Sequence, residues 1–414
     1  MTQGTIEPKP GIDAMPGVGR LGKPLRILYV ETNEDDTVGG SHQAMFDLAR
    51  NLDRNDFEPH VLFYQNNVFA DRLRQLGISV HSYERERMAE RAEHRPGRRV
   101  ARLLEVGRAI RRRLVTIRRL GIDLVHLNNH PRYGCEDWLP ACKLARIPCV
   151  VNTRGEPGLD IAWHRRILMR HYDRVIAISH YMWEQTVRNH AIAPERIVTI
   201  LDSLDAQTYR AQVRSSPAEV RRELGLDDDH LLCVMVGNIR RWKGQHVVLE
   251  SVVHLPAAVR ERLRVVFIGA TSPADVAYGA ELEEAIDRGG LRETVRFLGW
   301  RQDAPDYVNA ADICIHASVS PEPFGLVILE AMVLGRPLIA SNRGGPAEII
   351  TPGCGLLFDA DRPGELADHL TTLAGDPELR QSFGLMAQRR AAEFSLRANV
   401  AAYVELYRSV LHRR

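Results

Sequence analysis

The chain has 414 residues, of which 44% are hydrophobic and 26% are charged, as is typical of a globular protein. Its net charge of +2 gives no sign of a polyanionic partner such as nucleic acid, and no apolar run is long enough to span a bilayer. A chain of this length is expected to hold two or three domains.

Short β-branched runs alternate with longer amphipathic stretches after residues 1–23, which are rich in proline and glycine and predict a flexible tail. Such alternation is typical of parallel sheets with crossover helices. The predicted strands of the first half are 26–30, 60–64, 124–127, 149–152, 174–178 and 196–200. A second set follows at 231–236, 265–269, 295–298, 313–316 and 337–340.

These two sets predict an α/β protein with two doubly wound domains, at 24–205 and 206–395. The boundary falls in the polar stretch 205–217, and the apolar spacing in 396–414 predicts a closing helix. In such folds the ligand binds in a cleft at the carboxyl ends of the strands.

Two glycine motifs lie near the start of the chain, one in the tail and one after the first predicted strand. A G-x-G-x-x-G match at 17–22 precedes the first predicted strand, whereas a dinucleotide fingerprint must follow a strand. The first strand leads instead to Gly39, Gly40 and Ser41, where Ser41 is predicted to be the helix N-cap. Adjacent glycines there allow the backbone to approach a ligand closely.

Residues 85–120 predict a basic amphipathic helix, because arginines from Arg98 to Arg119 are interleaved with leucine, valine and isoleucine. One interpretation is a solvated arginine face packed on its own domain. Another is attachment to an anionic membrane surface or to a lipid-linked acceptor. Nucleic acid fits less well, because no aromatic residues are interleaved with the arginines.

The six cysteines are dispersed and form no C-x-x-C pair, which predicts buried, reduced thiols and no zinc site. The first residues have no apolar core of the kind found in secretory signals. We therefore expect a cytoplasmic protein, with the inner face of the membrane as a second location if the basic stretch binds lipid.

The second domain carries two features that suit an anionic, hydroxyl-rich ligand. Its first strand is followed by a loop with Arg240, Arg241 and Lys243, and cations there can neutralise a diphosphate leaving group. Further on, Glu322 precedes a Pro-Phe-Gly turn and an apolar run that contains Glu330. This order predicts a loop, a helix N-terminus that binds phosphate, and two carboxylates that bind hydroxyls. A nucleotide-sugar has both groups.

These motifs together resemble those of retaining glycosyltransferases of family 4. The resemblance rests on Gly39-Gly40, Lys243-Gly244, Glu322-x7-Glu330 and Gly344-Gly345-x-x-Glu348, and runs from about residue 25 to the C-terminus. It implies the GT-B fold, in which two Rossmann-like domains face each other across a cleft. It also implies transfer of a sugar from a nucleotide-diphosphate donor to an acceptor hydroxyl without a metal cofactor, in envelope or polysaccharide assembly.

The resemblance also implies residue roles. Lys243 would bind the diphosphate, Glu322 the transferred sugar and Glu330 the ribose. Gly299 and Trp300 would lie near the base, and Gly40 near the diphosphate. Backbone amides that hold phosphate or sugar would come from Phe324, Gly325, Leu326 and Val327.

Two positions depart from the family pattern. Asn238 stands where relatives commonly have arginine, so Arg240 or Arg241 would have to supply that charge. Asn128 stands where relatives often have an acceptor-side histidine, and His130, two residues on, is the candidate catalytic residue there.

Two other functions stay open at this point. A non-catalytic nucleotide-sugar-binding protein would keep the fold, with Asn238 as a sign of lost activity. A nucleotide-sugar epimerase on the same scaffold would act on the donor alone. A transferase, by contrast, requires a glycan or lipid-linked acceptor.

Overall fold

The computed structural model describes residues 23–32, 39–65, 67–82, 98–155, 161–190 and 192–412. The predicted tail up to residue 22, with its G-x-G-x-x-G match, lies outside these residues. The same holds for the first part of the predicted basic stretch, up to residue 97.

The first half of the chain builds a parallel sheet whose strands are buried on both faces. Its seven strands are β1 Leu25–Glu31, β2 Phe57–Phe63, β3 Ser79–Ser82, β4 Leu124–Leu127, β5 Cys149–Thr153, β6 Arg174–Ala177 and β7 Ile197–Thr199. They lie in the order β3-β2-β1-β4-β5-β6-β7. The helices between them are α1 Gly40–Asn51, α2 Val68–Gln75, α3 Arg98–Leu120, α4 Trp138–Ala145, α5 Trp163–Met169 and α6 His180–His190.

The second half repeats this architecture after two helices, α7 Ala206–Arg210 and α8 Pro217–Leu224. Its six strands are β8 Leu231–Val236, β9 Leu263–Ile268, β10 Val295–Phe297, β11 Ile313–His316, β12 Leu338–Ser341 and β13 Leu356–Phe358, in the order β10-β9-β8-β11-β12-β13. The remaining helices are α9 Gln245–Val253, α10 Ala257–Arg262, α11 Val276–Gly289, α12 Ala304–Ala310, α13 Leu326–Val333, α14 Pro346–Ile349, α15 Pro363–Gly375, α16 Pro377–Ala391 and α17 Leu396–His412.

Each sheet has a point where the strand order reverses direction. In the first sheet β1 lies beside β4, and in the second β8 lies beside β11. Ligands of such sheets bind outside the carboxyl ends of the strands at this point. The topology therefore brings together the segments that follow β1, β4, β8 and β11, which hold most of the predicted site residues.

The chain passes between the two sheets twice, and the two passages lie side by side. Leu204 forms a parallel bridge with Ser395, and its amide donates to the carbonyl of Phe394 at 3.3 Å. After this second passage, α17 returns to the first sheet and packs Tyr403, Tyr407 and other residues against its core. The domain borders proposed from the sequence stay predictions.

The α/β architecture with two doubly wound sheets is confirmed, and the bounds of β4, β8 and β11 match the predicted strands. Two edge strands were not predicted: β3 is short and mostly polar, and β13 is apolar but only three residues long. The predicted N-cap Ser41 is wrong. The helix begins at Gly40, and Gly39 is its N-cap without a side-chain hydrogen bond.

All six cysteines are buried and unpaired, which confirms the expectation of buried thiols. In the part of the chain that the structure describes, no helix combines the length and apolar character needed to cross a membrane.

The returning helix α17 generates a testable prediction about stability. The buried Tyr407 hydroxyl lies 2.7 Å from Nδ1 of His126 and donates to the Tyr29 hydroxyl at 3.1 Å. Tyr407→Phe keeps the ring but leaves these buried groups without a partner, which should cost about 1–3 kcal/mol. The measurement is the free energy of unfolding in denaturant, with Glu405→Ala, an exposed change in the same helix, as the control. Equal stability of the two variants would contradict the prediction.

Candidate active site

The loop after β8 lies directly against the segment after β11. Gly244 has φ +78°, and a Cβ there would lie only 1.9 Å from the carbonyl oxygen of Ala317. The Val319 amide donates to the Trp242 carbonyl at 2.8 Å. Only glycine allows this contact, so Gly244 fixes the position of Lys243, which ends the short 3₁₀ turn Arg241–Lys243.

Lys243 and Glu322 form the central ion pair of the site. Lys243 Nζ donates to Glu322 Oε2 at 2.7 Å, and Ser318 Oγ donates to the same oxygen at 3.0 Å. His316 Nε2 lies 3.3 Å from it. Among the described residues, all the hydrogen bonds of this carboxylate reach Oε2, so Oε1 remains for a ligand.

The charge of Glu322 follows from these neighbours. Burial alone would raise the pKa of its carboxyl group, but Lys243 and His316 outweigh that effect and hold the pKa well below its usual range. Glu322 is therefore an anion at neutral pH. Its negative charge is matched by one cation at short range, as a buried carboxylate requires.

Residues 317–325, here called the Glu322 loop, connect β11 to α13. The N-cap of α13, Gly325, has φ +105° and provides no side-chain hydrogen bond, and the first amides of a helix have no partner within the helix. Phe324 points into the core, where it packs on Phe394 with a centroid distance of 5.9 Å. The sequence predicted that backbone amides at 324–327 bind phosphate or sugar. The side chain of Phe324 is only 3% exposed, so Phe324 can contact a ligand only through its backbone.

The Gly344–Gly345 segment holds the Glu322 loop from the other side. A Cβ at Gly344 would lie 2.3 Å from the Glu322 carbonyl oxygen, and one at Gly345 would lie 2.5 Å from the Phe324 Cα. The Gly345 amide also donates to the Glu322 carbonyl at 2.8 Å. Both glycines are thus needed for backbone packing, which fixes where Glu322 and the start of α13 lie.

The first domain contributes a second helix N-terminus to the same gap. Helix α1 begins at Gly40, and a Cβ on Gly40 would lie 2.9 Å from Cδ1 of Leu326. The starts of α1 and α13 therefore meet across the cleft, and both have glycine N-caps without a side-chain bond. Two positive helix ends and Lys243 make this gap a site for an anion.

Glu330 lies on α13 beside Tyr209 of α7. The Tyr209 hydroxyl donates to Glu330 Oε2 at 3.4 Å. Burial raises the pKa of Glu330 to about 7, and the Tyr209 hydroxyl lowers it by a smaller amount. Glu330 is therefore partly protonated at neutral pH, in contrast to Glu322.

Gly299 contacts the segment after β9, which itself packs against the start of the loop after β8. The Gly299 carbonyl accepts from the Gly269 amide at 2.8 Å, and a Cβ on Gly269 would lie 2.1 Å from the Gly237 carbonyl oxygen. Trp300 is 70% exposed, which leaves its ring accessible at this edge of the second sheet.

The two arginines in the loop after β8, Arg240 and Arg241, have acidic partners of their own. Arg240 Nε lies 3.6 Å from Asp275 Oδ2. Arg241 forms an ion pair with Glu281, and its guanidinium group lies 4.8 Å from the Tyr278 ring centroid. These contacts direct Arg241 toward α11, whereas Lys243 contacts Glu322.

The residues after β4 belong to a buried polar network. The Asn128 amide donates to Glu31 Oε2 at 2.7 Å and to the Ser41 carbonyl at 2.9 Å, and its Oδ1 accepts from Arg154 at 3.1 Å. Asn128 thus connects the strand ends of the first sheet with the start of α1. His130 follows at 2% exposure, and its Nδ1 accepts from an amide two residues on, at 3.2 Å.

Sequence reasoning missed several polar residues of the site. His316, Ser318 and Tyr209 contact the two carboxylates, and Glu31 and Arg154 organise the first domain. One signal was available: Glu31 and His316 are polar residues at the carboxyl ends of apolar strands, next to the reversal points of the two sheets.

Comparison with known families agrees with this geometry. Residues 39–201 match the family described as Glycosyl transferase 4-like domain, and residues 217–390 match Glycosyl transferases group 1. The two matches follow each other along the chain and together include every strand except β1. The chain has the two-domain GT-B fold, and each half is similar to a glycosyltransferase family.

Curated relatives include two kinds of enzyme. The chain is 29% identical over 241 residues to a D-inositol 3-phosphate glycosyltransferase from Streptomyces bingchenggensis, which covers 57% of the chain and 52% of the relative. It is 27% identical over 306 residues to the lipopolysaccharide core biosynthesis mannosyltransferase LpsB from Rhizobium meliloti, with 70% and 84% covered. The chain spans about half the length of the D-inositol 3-phosphate glycosyltransferases it matches.

Solved structures show the same fold. Anabaena Alr3699/HepE, determined in complex with UDP and glucose, superposes with a TM-score of 0.77 at 23% identity, over 93% of this chain and all of that one. A sucrose-phosphate synthase from Thermosynechococcus elongatus gives a TM-score of 0.72 at 18% identity over 94% of this chain. At these identities the likeness establishes the fold.

The surroundings of Glu330 generate a prediction about its titration. Its carboxyl group should titrate near pH 7 in the ligand-free protein, and Tyr209→Phe should raise the midpoint, because the hydroxyl stabilises the ionised form. The measurement is ¹³C NMR of protein labelled at the glutamate carboxyl carbon, with Glu330→Gln to assign the signal. A midpoint near that of an exposed glutamate, or one that Tyr209→Phe leaves in place, would contradict the prediction.

Proposed function

We propose that the chain is a retaining glycosyltransferase of family 4 that moves a sugar from a nucleotide-diphosphate donor to an acceptor hydroxyl, in envelope or polysaccharide glycan assembly. The observation that carries the proposal is the meeting of two helix N-termini, from α1 and α13, beside the Lys243–Glu322 pair. An anion with a neighbouring hydroxyl-rich group fits this combination.

The donor is proposed to lie with its diphosphate between Gly40 and the first amides of α13, within reach of Lys243. Glu322 would accept from a hydroxyl of the transferred sugar through Oε1, and Glu330 from the ribose. The exposed ring of Trp300, with Gly299, would lie near the base. Structures of Anabaena Alr3699/HepE with UDP and with UDP-glucose support a nucleotide-sugar as the ligand class.

The proposed chemistry is a front-face substitution. Glu322 is already paired with Lys243, which makes it a weak nucleophile, so the leaving phosphate is the group that takes the proton of the acceptor hydroxyl. As the bond to the sugar breaks, negative charge grows on the diphosphate. Lys243 and the two helix ends stabilise that charge without reorganisation, so no metal is needed in this scheme.

The acceptor would enter from the first-domain side, where His130 follows β4. His130 is proposed to position the loop at 128–132, because it is buried and its Nδ1 already accepts a backbone hydrogen bond. The names of the relatives, which include a D-inositol 3-phosphate glycosyltransferase and a lipopolysaccharide core mannosyltransferase, support a polyol or glycan hydroxyl as acceptor.

The test of this function is the release of nucleoside diphosphate from a panel of UDP-, GDP- and ADP-sugars, with and without glycan acceptors. Lys243→Ala should lower kcat/KM by roughly tenfold to a thousandfold, since it removes the cation that stabilises the leaving group. Lys143→Ala is the matched control, because Lys143 pairs with Asp173 at 2.9 Å and belongs to the outer helix α4.

Three results would contradict the proposal. Binding of a nucleotide-sugar without turnover would favour a non-catalytic binding protein. Conversion of the donor without any acceptor would favour an epimerase. Near-normal kinetics of Lys243→Ala would remove Lys243 from the leaving-group site.

We further propose that α3 binds an anionic membrane face, which would bring the protein to lipid-linked acceptors. Helix α3 packs through Ile117 and through Arg113, which pairs with Asp137 at 3.2 Å. Between residues 101 and 120, where its side chains are described, the exposed face carries six arginines and one acidic residue, Glu105. The exposed arginines are Arg102, Arg108, Arg111, Arg112, Arg118 and Arg119.

Exposed apolar residues accompany these arginines. Leu104 and Val115 are more than half exposed on the same helix, and Trp163 of the neighbouring α5 is 75% exposed. Such a surface suits the boundary of an anionic bilayer.

Liposome flotation tests this surface. The protein should float with vesicles that contain anionic phosphatidylglycerol and should be released by salt, and the triple variant Arg108→Glu, Arg111→Glu, Arg118→Glu should not float. The control reverses three exposed arginines elsewhere, Arg222, Arg288 and Arg389, which changes the net charge equally. Equal flotation of both variants, or binding to neutral vesicles, would contradict the proposal.

A further inference from the structure

The start of helix α6, in the first domain, receives a carboxylate from the second domain. Glu348 Oε2 accepts from the backbone amide of His180 at 2.8 Å, and Oε1 accepts from the amide of Tyr181. These are the first amides of α6, which have no partner within the helix. Glu348 therefore caps a helix that belongs to the other sheet, where a negative charge is favourable.

A third hydrogen bond, from Ser179, crosses between the domains at the same place. Ser179 Oγ donates to the carbonyl of Pro323 at 2.7 Å and accepts from the Met182 amide at 3.0 Å. Pro323 is the residue after Glu322. The start of α6 thus holds both the Glu322 loop and the segment of Glu348.

These two segments are packed on each other within the second domain. The Gly345 amide donates to the Glu322 carbonyl, and Glu322 and Gly344 form a parallel bridge. The backbone of Glu348 is held within its own domain, because Arg390 donates to its carbonyl at 2.9 Å. The carboxylate of Glu348 is therefore the part of this residue that joins the domains, while its backbone belongs to the fold of the second one.

We propose that Glu348 is a positioning residue that latches the two domains in the closed arrangement, in which the starts of α1 and α13 meet. The inference rests on the proposed function, since closure matters because it assembles the donor site. Glu348 does not touch the donor in this scheme. It acts through α6 and the Glu322 loop, and the two contacts at α6 must break before the cleft can open.

The latch has a kinetic consequence that a purely structural residue would not have. With the carboxylate removed, the closed state is less populated, so the site is assembled in a smaller fraction of the complexes. Transfer to the acceptor slows, and water reaches the donor more often. The ratio of donor hydrolysis to sugar transfer should therefore rise.

The experiment compares wild-type protein, Glu348→Ala and the isosteric Glu348→Gln by small-angle scattering and by kinetics. The radius of gyration of the ligand-free variants should exceed that of the wild type, and a saturating UDP-sugar that the wild type uses should reduce the difference. In the same variants kcat should fall by roughly tenfold, with hydrolysis forming a larger share of the product. Ser179→Ala, which removes the neighbouring contact, should change both quantities in the same direction.

The control is Glu365→Ala, because Glu365 caps a backbone amide at 2.9 Å within the second domain and does not cross to the first. A wild-type radius and wild-type kcat in Glu348→Gln would overturn the latch, as would equal effects of Glu365→Ala. If the wild type turned over no nucleotide-sugar, the proposed function would fail, while the scattering of the variants would still decide whether Glu348 closes the cleft. If Glu348→Ala fails to fold, Glu348→Gln decides.

Discussion

The close approach of two helix N-termini is the constraint on which the rest of the site depends. Each helix end carries the equivalent of about half a positive charge, so the starts of α1 and α13 repel each other unless an anion lies between them. The glycines at 39, 40 and 325 keep both ends free of side-chain caps. The arrangement therefore favours an anion at this place, and the proposed diphosphate would supply that charge.

The remaining charges are distributed so that one cation faces that gap. Lys243 is balanced by Glu322, whereas Arg240 and Arg241 are directed to Asp275 and Glu281. In the proposed donor complex, Lys243 is therefore the cation of this loop that would contact the diphosphate. The two carboxylates of the motif also differ, because a lysine keeps Glu322 ionised whereas burial leaves Glu330 near its midpoint at neutral pH.

Much of the fold was predictable, because long apolar strands between glycine turns leave few alternatives to a parallel sheet with crossover helices. The edge strand β3 was not predicted because it is short and mostly polar, and β13 because three apolar residues are too few to indicate a strand. Ser41 looked like an N-cap by residue type, yet two preceding glycines let the helix begin earlier. The polar partners of the carboxylates could not be read from local patterns. Tyr209 reaches Glu330 from 121 residues away, and Glu348 reaches α6 from 168 residues away.

The decisive measurement is a crystal structure of the complex with UDP, GDP or ADP, whichever raises the melting temperature most. We expect the β-phosphate within hydrogen-bond distance of Lys243 Nζ and of the backbone amides at the starts of α1 and α13, near Gly40 and Leu326. A nucleotide bound with its phosphates on Arg240 and Arg241, with both helix starts unoccupied, would contradict this expectation.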